Sequence, residues 1–127
     1  MTGCRRDESG QSTLELALCL PILALLLAGL VEVGMLVSDQ TRIWHAAREG
    51  ARVAVVDPDL SNAVAAAERA GLKPLDVEVT PGARFRRQGD PLTLTVGYEP
   101  RARVPLFGAL LERVELSAKA TMRIEQP

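Results

Sequence analysis

Three residues near the start of the chain have types and spacing that invite chemistry: Gly10, Gln11 and, four positions on, Glu15. Glu15 stands at the mouth of a long apolar run, and a second carboxylate, Glu32, stands near its far end. An unpaired charge at a bilayer centre costs about 2.5–3.5 kcal/mol on insertion scales, and less towards the interface. Carboxylates kept in such a run therefore need a counter-charge or an interfacial position. Catalytic constellations are otherwise scarce. The single histidine, His45, falls on a polar helical face and reads as a solvated side chain rather than a ligand or base. No Cys/His set has metal-ligand spacing, and no glycine-rich loop joins a strand to a helix. Asp57 and Asp59 in "DPD" read as turn and capping residues. Arg84, Arg86, Arg87, Arg101 and Arg103 form two basic loops, read as a solvated edge beside a sheet rather than a polyanion site. No enzyme activity, cofactor or metal is expected.

The elements that position these residues follow from length and patterning. A chain of 127 residues with net charge −1 accommodates one small domain plus an appendage, and gives no reason to expect a nucleic-acid partner. Residues 16–31 carry no charge, and the apolar run continues past Glu32 to Val37. As a helix, residues 16–37 span about 33 Å, enough to cross a bilayer core. A cleaved secretory signal has an apolar region of roughly 7–15 residues; this run is longer and continues beyond as helix. A lipoprotein reading of "LALC" fails because most of the apolar run follows Cys19. Cys4 and Cys19 suggest no disulfide framework. Arg5 and Arg6 precede the run while Arg42, Arg48 and Arg52 follow it, so charge does not set its orientation.

The helical pattern passes the membrane surface. Arg42, His45, Arg48, Glu49 and Arg52 recur on one polar face, and Ile43, Ala46, Ala47, Gly50 and Ala54 on another. Ala46, Ala47, Gly50 and Ala54 are small enough to let a helix or sheet approach closely. One helix is predicted over residues 12–56, ended by "DPD" because the residue before Pro58 is pushed out of the helical region. A short second helix is predicted over residues 62–70, with Ser61 as its N-cap. The period then changes to two: residues 75–80, 91–98 and 114–125 alternate apolar and polar, the pattern of a half-buried antiparallel sheet. A helical turn is expected around residues 106–111. The fold class is therefore α+β: a long N-terminal helix, a short second helix, and a three-stranded antiparallel sheet packed on the long helix.

The opening stretch resembles a prepilin: a short charged leader ending in Gly10, then Gln11, then Glu15 four residues further on, then an apolar helix. More closely, "GQSTLELALCLPILALLLAGLVEVG" followed by "HAAREGARVAVV" resembles the TadE-like pseudopilins of tight-adherence (Flp-type) pilus systems. The shared pattern is G-x-[ST/A]-x-x-E-x-A-x-x-x-P, then V-E-x-G closing the membrane segment, then A-A-R-E-G/A-A-R. The segments "DPLTLTVGY", "VPLFGALL" and "LSAKATMRIE" are also similar to that family. Gln11 replaces the aromatic residue found at the mature N-terminus of the main pilin families.

The resemblance implies a prepilin peptidase substrate with three parts: a cytoplasmic leader, residues 1–10, cleaved between Gly10 and Gln11; an assembly and transmembrane helix, residues 11–38; and an extracytoplasmic pilin-like domain, residues 39–127. It implies a single-pass protein of the cytoplasmic membrane, N-terminus inside, that takes part in pilus assembly. Its partners would be the peptidase, other Tad pilins or pseudopilins, the inner-membrane assembly platform and the lipid bilayer. Once the leader is gone, Gln11 carries a free amine to which Glu15, one helical turn away, is a natural counter-charge, within one subunit or between neighbours. Glu32 lies about 24 Å along the helix from Leu16, near the opposite headgroups, where it is either solvated or engaged by another subunit. Pro21 removes the backbone bond to the Ala17 carbonyl and would soften the helix on leaving the bilayer. Two other readings fit the same residues. One is an unprocessed signal-anchored protein with a small extracytoplasmic binding domain; the other is a pseudopilin of a secretion or DNA-uptake machine.

Overall fold

The computed structural model describes residues 8–101, 105–111 and 114–125. Residues 1–7 of the expected leader, with Cys4, Arg5 and Arg6, lie outside the described residues, as does Arg103. The chain forms α1 (Glu8–Ala54), α2 (Leu60–Glu68), β1 (Asp76–Thr80), β2 (Pro91–Tyr98), α3 (Gly108–Leu111) and β3 (Leu116–Arg123). Single 3-10 turns at Ala83–Phe85 and Pro105–Phe107 lead into β2 and α3. The fold is α+β, with the sheet laid on the second half of the long helix.

α1 runs uninterrupted through Pro21 and four glycines because leucine, alanine and other good helix formers far outnumber them. It ends where Val56 and Asp57 turn their backbone N–H groups back to the Val53 carbonyl. α2 begins two residues earlier than expected. Its N-cap is Asp59, not Ser61: the Asp59 carboxylate accepts the Ser61 backbone N–H at 2.9 Å. The reason lies in Asp57, whose carboxylate accepts the Asp59 N–H at 2.9 Å and the Asn62 side-chain amide at 2.7 Å. Those bonds fix the backbone of "DPD" so that Asp59, as good a cap as serine, is presented first.

The Asp59 N–H, then the Asn62 amide, and more weakly the Arg86 charge, hold the Asp57 carboxyl below the usual aspartate value. A carboxyl depressed in the folded state contributes stability above its unfolded value, and that contribution is lost as pH falls through the folded one. Stability is therefore expected to drop as pH is taken below about 4. Thermal unfolding of Asp57→Asn should show a shallower acid decline than the parent; identical pH profiles would contradict the assignment.

The sheet has the order β1-β2-β3, antiparallel throughout. Val79 pairs with Leu94, and Leu94 in turn with Ala120, so apolar residues line up on one face. Leu92, Leu94 and Val96 of the central strand are fully buried against α1, alongside Ala118, Ala120 and Ile124. On α1 the buried apolar set is Ile43, Ala46, Ala47, Ala51 and Ala54, with Gly50 among them. α2 contributes Ala63, Ala66 and Ala67 at helical spacing. Gly50 lies at the crossing of the two helices: a Cβ there would sit 3.0 Å from Leu94 Cδ1, 3.2 Å from the Ala63 carbonyl oxygen and 3.3 Å from Ala67 Cβ.

β3 runs alongside α1 in the same direction and is tied to it at both ends. The Gln40 side-chain amide donates to the Ser117 carbonyl at 3.2 Å, and the Glu125 N–H donates to the Val55 carbonyl at 3.1 Å. Fifteen helical residues rise about 22 Å and eight extended ones about 26 Å, so helix and strand keep pace between those ties.

The basic loops need one correction. Arg84, Arg87 and Arg101 are exposed, but Arg86 is buried, with 8 % of its surface accessible. One guanidinium nitrogen, Nη1, donates to the Ala54 carbonyl at 2.8 Å and the Asp57 carbonyl at 3.2 Å. The C-terminal carbonyls of α1 have no partners within the helix and form the negative end of its dipole. A buried cation at that point satisfies both demands, which is why one arginine leaves the solvated edge.

Candidate functional site

The candidate site is a surface, the first half of α1. Residues 10–27 are exposed all round, and at helical rise that bare run is about 27 Å long, close to the thickness of a bilayer core. Leu14, Leu16, Leu18, Leu20, Ile22 and Leu23 all present more than half of their surface. Bare apolar surface on this scale marks a lipid or protein contact. α1 is the one helix among the described residues long and apolar enough to cross a membrane.

At its mouth, Gln11 and Glu15 share one helical turn, and the Gln11 side-chain amide donates to Glu15 at 3.4 Å. Gly10 and Gln11 lie near the start of the described part of α1, exposed. Pro21 lies within the continuous helix, exposed like its neighbours. Cys19 is a free, exposed thiol on the same bare surface.

Glu32 is in a different setting. It is 5 % exposed within the chain itself, on a face that continues the buried stripe of the soluble half. Ala28, Gly29, Met35 and Leu36 on that face are partly covered, and Asp39 is 6 % exposed. The 3-10 turn Pro105–Phe107 supplies cover at the lower end: a Cβ on Gly29 would come within 3.3 Å of Phe107 Cζ. This seat was not visible in the sequence, because nothing local ties residue 107 to residue 29. Its only trace is a glycine in a leucine-rich run and an aromatic residue within an apolar loop.

The opposite face of the soluble half is polar. Arg42, His45, Arg48, Glu49 and Arg52 are all exposed. Shallow grooves flank His45 and Arg48, one running to Trp44 and the other to Arg69 and Met122. Among the described residues no group of three or more His, Cys, Asp or Glu side chains could hold a metal ion. The arrangement supports burial of α1 in lipid or against other helices.

Residues 10–52 match the family model described as TadE-like protein. No curated protein and no solved structure matches the chain. The matched segment starts at Gly10, takes in Glu15, Pro21 and Glu32, and ends with Arg52 on the polar face of α1. Over residues 10–52, therefore, the chain is similar to the TadE-like family that its motifs resemble.

Proposed function

We propose that this chain is a non-enzymatic minor pilin or pseudopilin of a tight-adherence pilus, made as a precursor and cut by a prepilin peptidase between Gly10 and Gln11. The observation that carries the reading is the division of α1. One continuous helix is bare and apolar in its first half and is the scaffold of a small α+β head in its second. A subunit so built can rest in the membrane with its head outside and pack into an assembly through the same bare surface. The N-terminus stays cytoplasmic, and residues 39–127 form the extracytoplasmic head.

After cleavage the amine of Gln11 and the Glu15 carboxylate lie one turn apart, and each offsets the cost of placing the other in an apolar setting. Polar groups in apolar helix interfaces fix register, so this pair would favour one axial position of the subunit among its neighbours. Pro21 gives the bare half a site of lower backbone cohesion at the Ala17 carbonyl. Other pilins and the inner-membrane assembly platform are the partners that such a surface serves.

The test is the mature N-terminus. Intact mass and N-terminal sequencing in cells with an active prepilin peptidase should give a chain starting at Gln11, and in cells without it the full precursor. Gly10→Val should accumulate at precursor size and fail to enter pilus-associated fractions. A parent chain that keeps residues 1–10 in the presence of the peptidase would refute the processing and favour a signal-anchored protein instead.

A further inference from the structure

We propose that the apolar segment Pro105–Leu111 is a second membrane element: a hook that the head lowers along α1 into the outer leaflet of the bilayer. The proposal rests on reading α1 as a membrane helix and adds to it a contact made by the head itself.

The level of the hook along α1 carries the argument. Phe107 lies against Gly29, and Gly29 is eight residues before Val37, so the contact is about 12 Å below the end of the apolar run. From the level of the hook up to Val37 the remaining face of α1 is also apolar and bare: Leu30, Val31, Val33 and Val37 are between 51 % and 70 % exposed. A head suspended in water would leave those side chains solvated beside the hook. Immersed in acyl chains to the height of Val37, the same residues meet lipid, and residues 16–37 match the bilayer core in length.

The hook has the composition for that depth. "PLFGALL" carries no charge or side-chain hydroxyl. Pro105 and Ala109 are exposed, while Phe107 and Gly108 are partly covered by the chain. Its short helical turns satisfy part of their own backbone polarity, which irregular chain in lipid could not do. Arg101, the last described residue before it, is exposed, and arginine is a residue type that settles at headgroup level beside an apolar insertion. The hook also lies on the face of α1 that buries Glu32, so the chain itself takes that carboxylate away from the surrounding acyl chains.

The test uses the full chain in phosphatidylcholine–phosphatidylglycerol vesicles containing lipids brominated at shallow or deep acyl positions. Trp44 is the sole tryptophan, so Trp44→Phe gives a silent background. Into it go Phe107→Trp, Ala109→Trp and, as a control on the bare helix, Leu23→Trp. The expected result is a loss of emission by shallow bromines for the 107 and 109 variants, little quenching of either by iodide in the water, and bromine quenching for the 23 variant. Quenching at 23 with iodide-accessible, bromine-insensitive indoles at both 107 and 109 would overturn the hook and leave the membrane helix standing. No bromine quenching at 23 would overturn the membrane helix and the hook with it.

Discussion

Gly50→Leu is expected to unfold the head at a temperature about 15 °C or more below the parent. The position has no room. A single added carbon would meet Leu94 Cδ1, the Ala63 carbonyl oxygen and Ala67 Cβ, all at or inside 3.3 Å. Leu94 is a side chain and can shift, but the Ala63 oxygen is backbone of α2, and moving it moves the helix. Leucine places three further carbons there. Overpacking in a close-packed core costs about 1–3 kcal/mol and sometimes more, and a loss of about 3 kcal/mol translates to that shift for a head of this size. Gly50→Ala is the finer probe. Alanine gains about 1 kcal/mol of helix propensity over glycine, so any net loss means that the crowding costs more than that gain. Circular dichroism melts of the full chain in detergent would read both, and an unchanged melting temperature for the leucine variant would show that α2 does not pack on α1 at Gly50.

Arg86→Ala is expected to cost about 2–4 kcal/mol. Hydrogen bonds from charged donors contribute about 1.5–3 kcal/mol, and a buried acceptor left unpaired costs about 1–3 kcal/mol. Here one guanidinium nitrogen serves the Ala54 and Asp57 carbonyls together. Against that stands the desolvation of the guanidinium, evident in its buried Nε, which has no partner. Arg86→Met separates the contributions. It keeps much of the apolar stem but brings no donor, so it should fall close to alanine if the bonds dominate and close to the parent if packing does. Hydrogen exchange should show the loss first at the end of α1 and in the 57–62 turn. Melts of both variants that superpose on the parent would remove Arg86 from the structural account.

The contrast between Gly50 and Arg86 shows what a sequence discloses. The stripe around Gly50 was legible because helical periodicity gathers small residues onto one side, and the sheet supplied an apolar face in want of a cover. The strands were legible to within one or two residues, since slipping by one would turn Leu92, Leu94 and Val96 outward. Arg86 was not legible. Among neighbouring arginines of identical chemistry, only the path of the 83–90 loop decides which one reaches the end of α1. Asp59 displaced Ser61 as the cap for a similar reason: the choice between two good caps was made by Asp57, through a turn that residue preferences leave open. The seat of Phe107 on Gly29 joins residues far apart in the chain, and no periodicity encodes it. The pair Gly10 and Gln11 is the reverse case. The cleavage proposed there rests on residue types alone and leaves no trace in packing.

The two ties between α1 and β3 have a mechanical consequence. In the proposed fibre, a subunit held by its apolar half and pulled at its head would be loaded along α1. Because β3 lies alongside that helix and is fastened at Gln40–Ser117 and again at Val55–Glu125, the pull acts parallel to their interface. Contacts arranged this way are strained together in shear rather than opened one after another as in peeling. The alanine-rich seam, modest contact by contact, would then resist as a unit, and tension on such a filament would reach the head as a shared load.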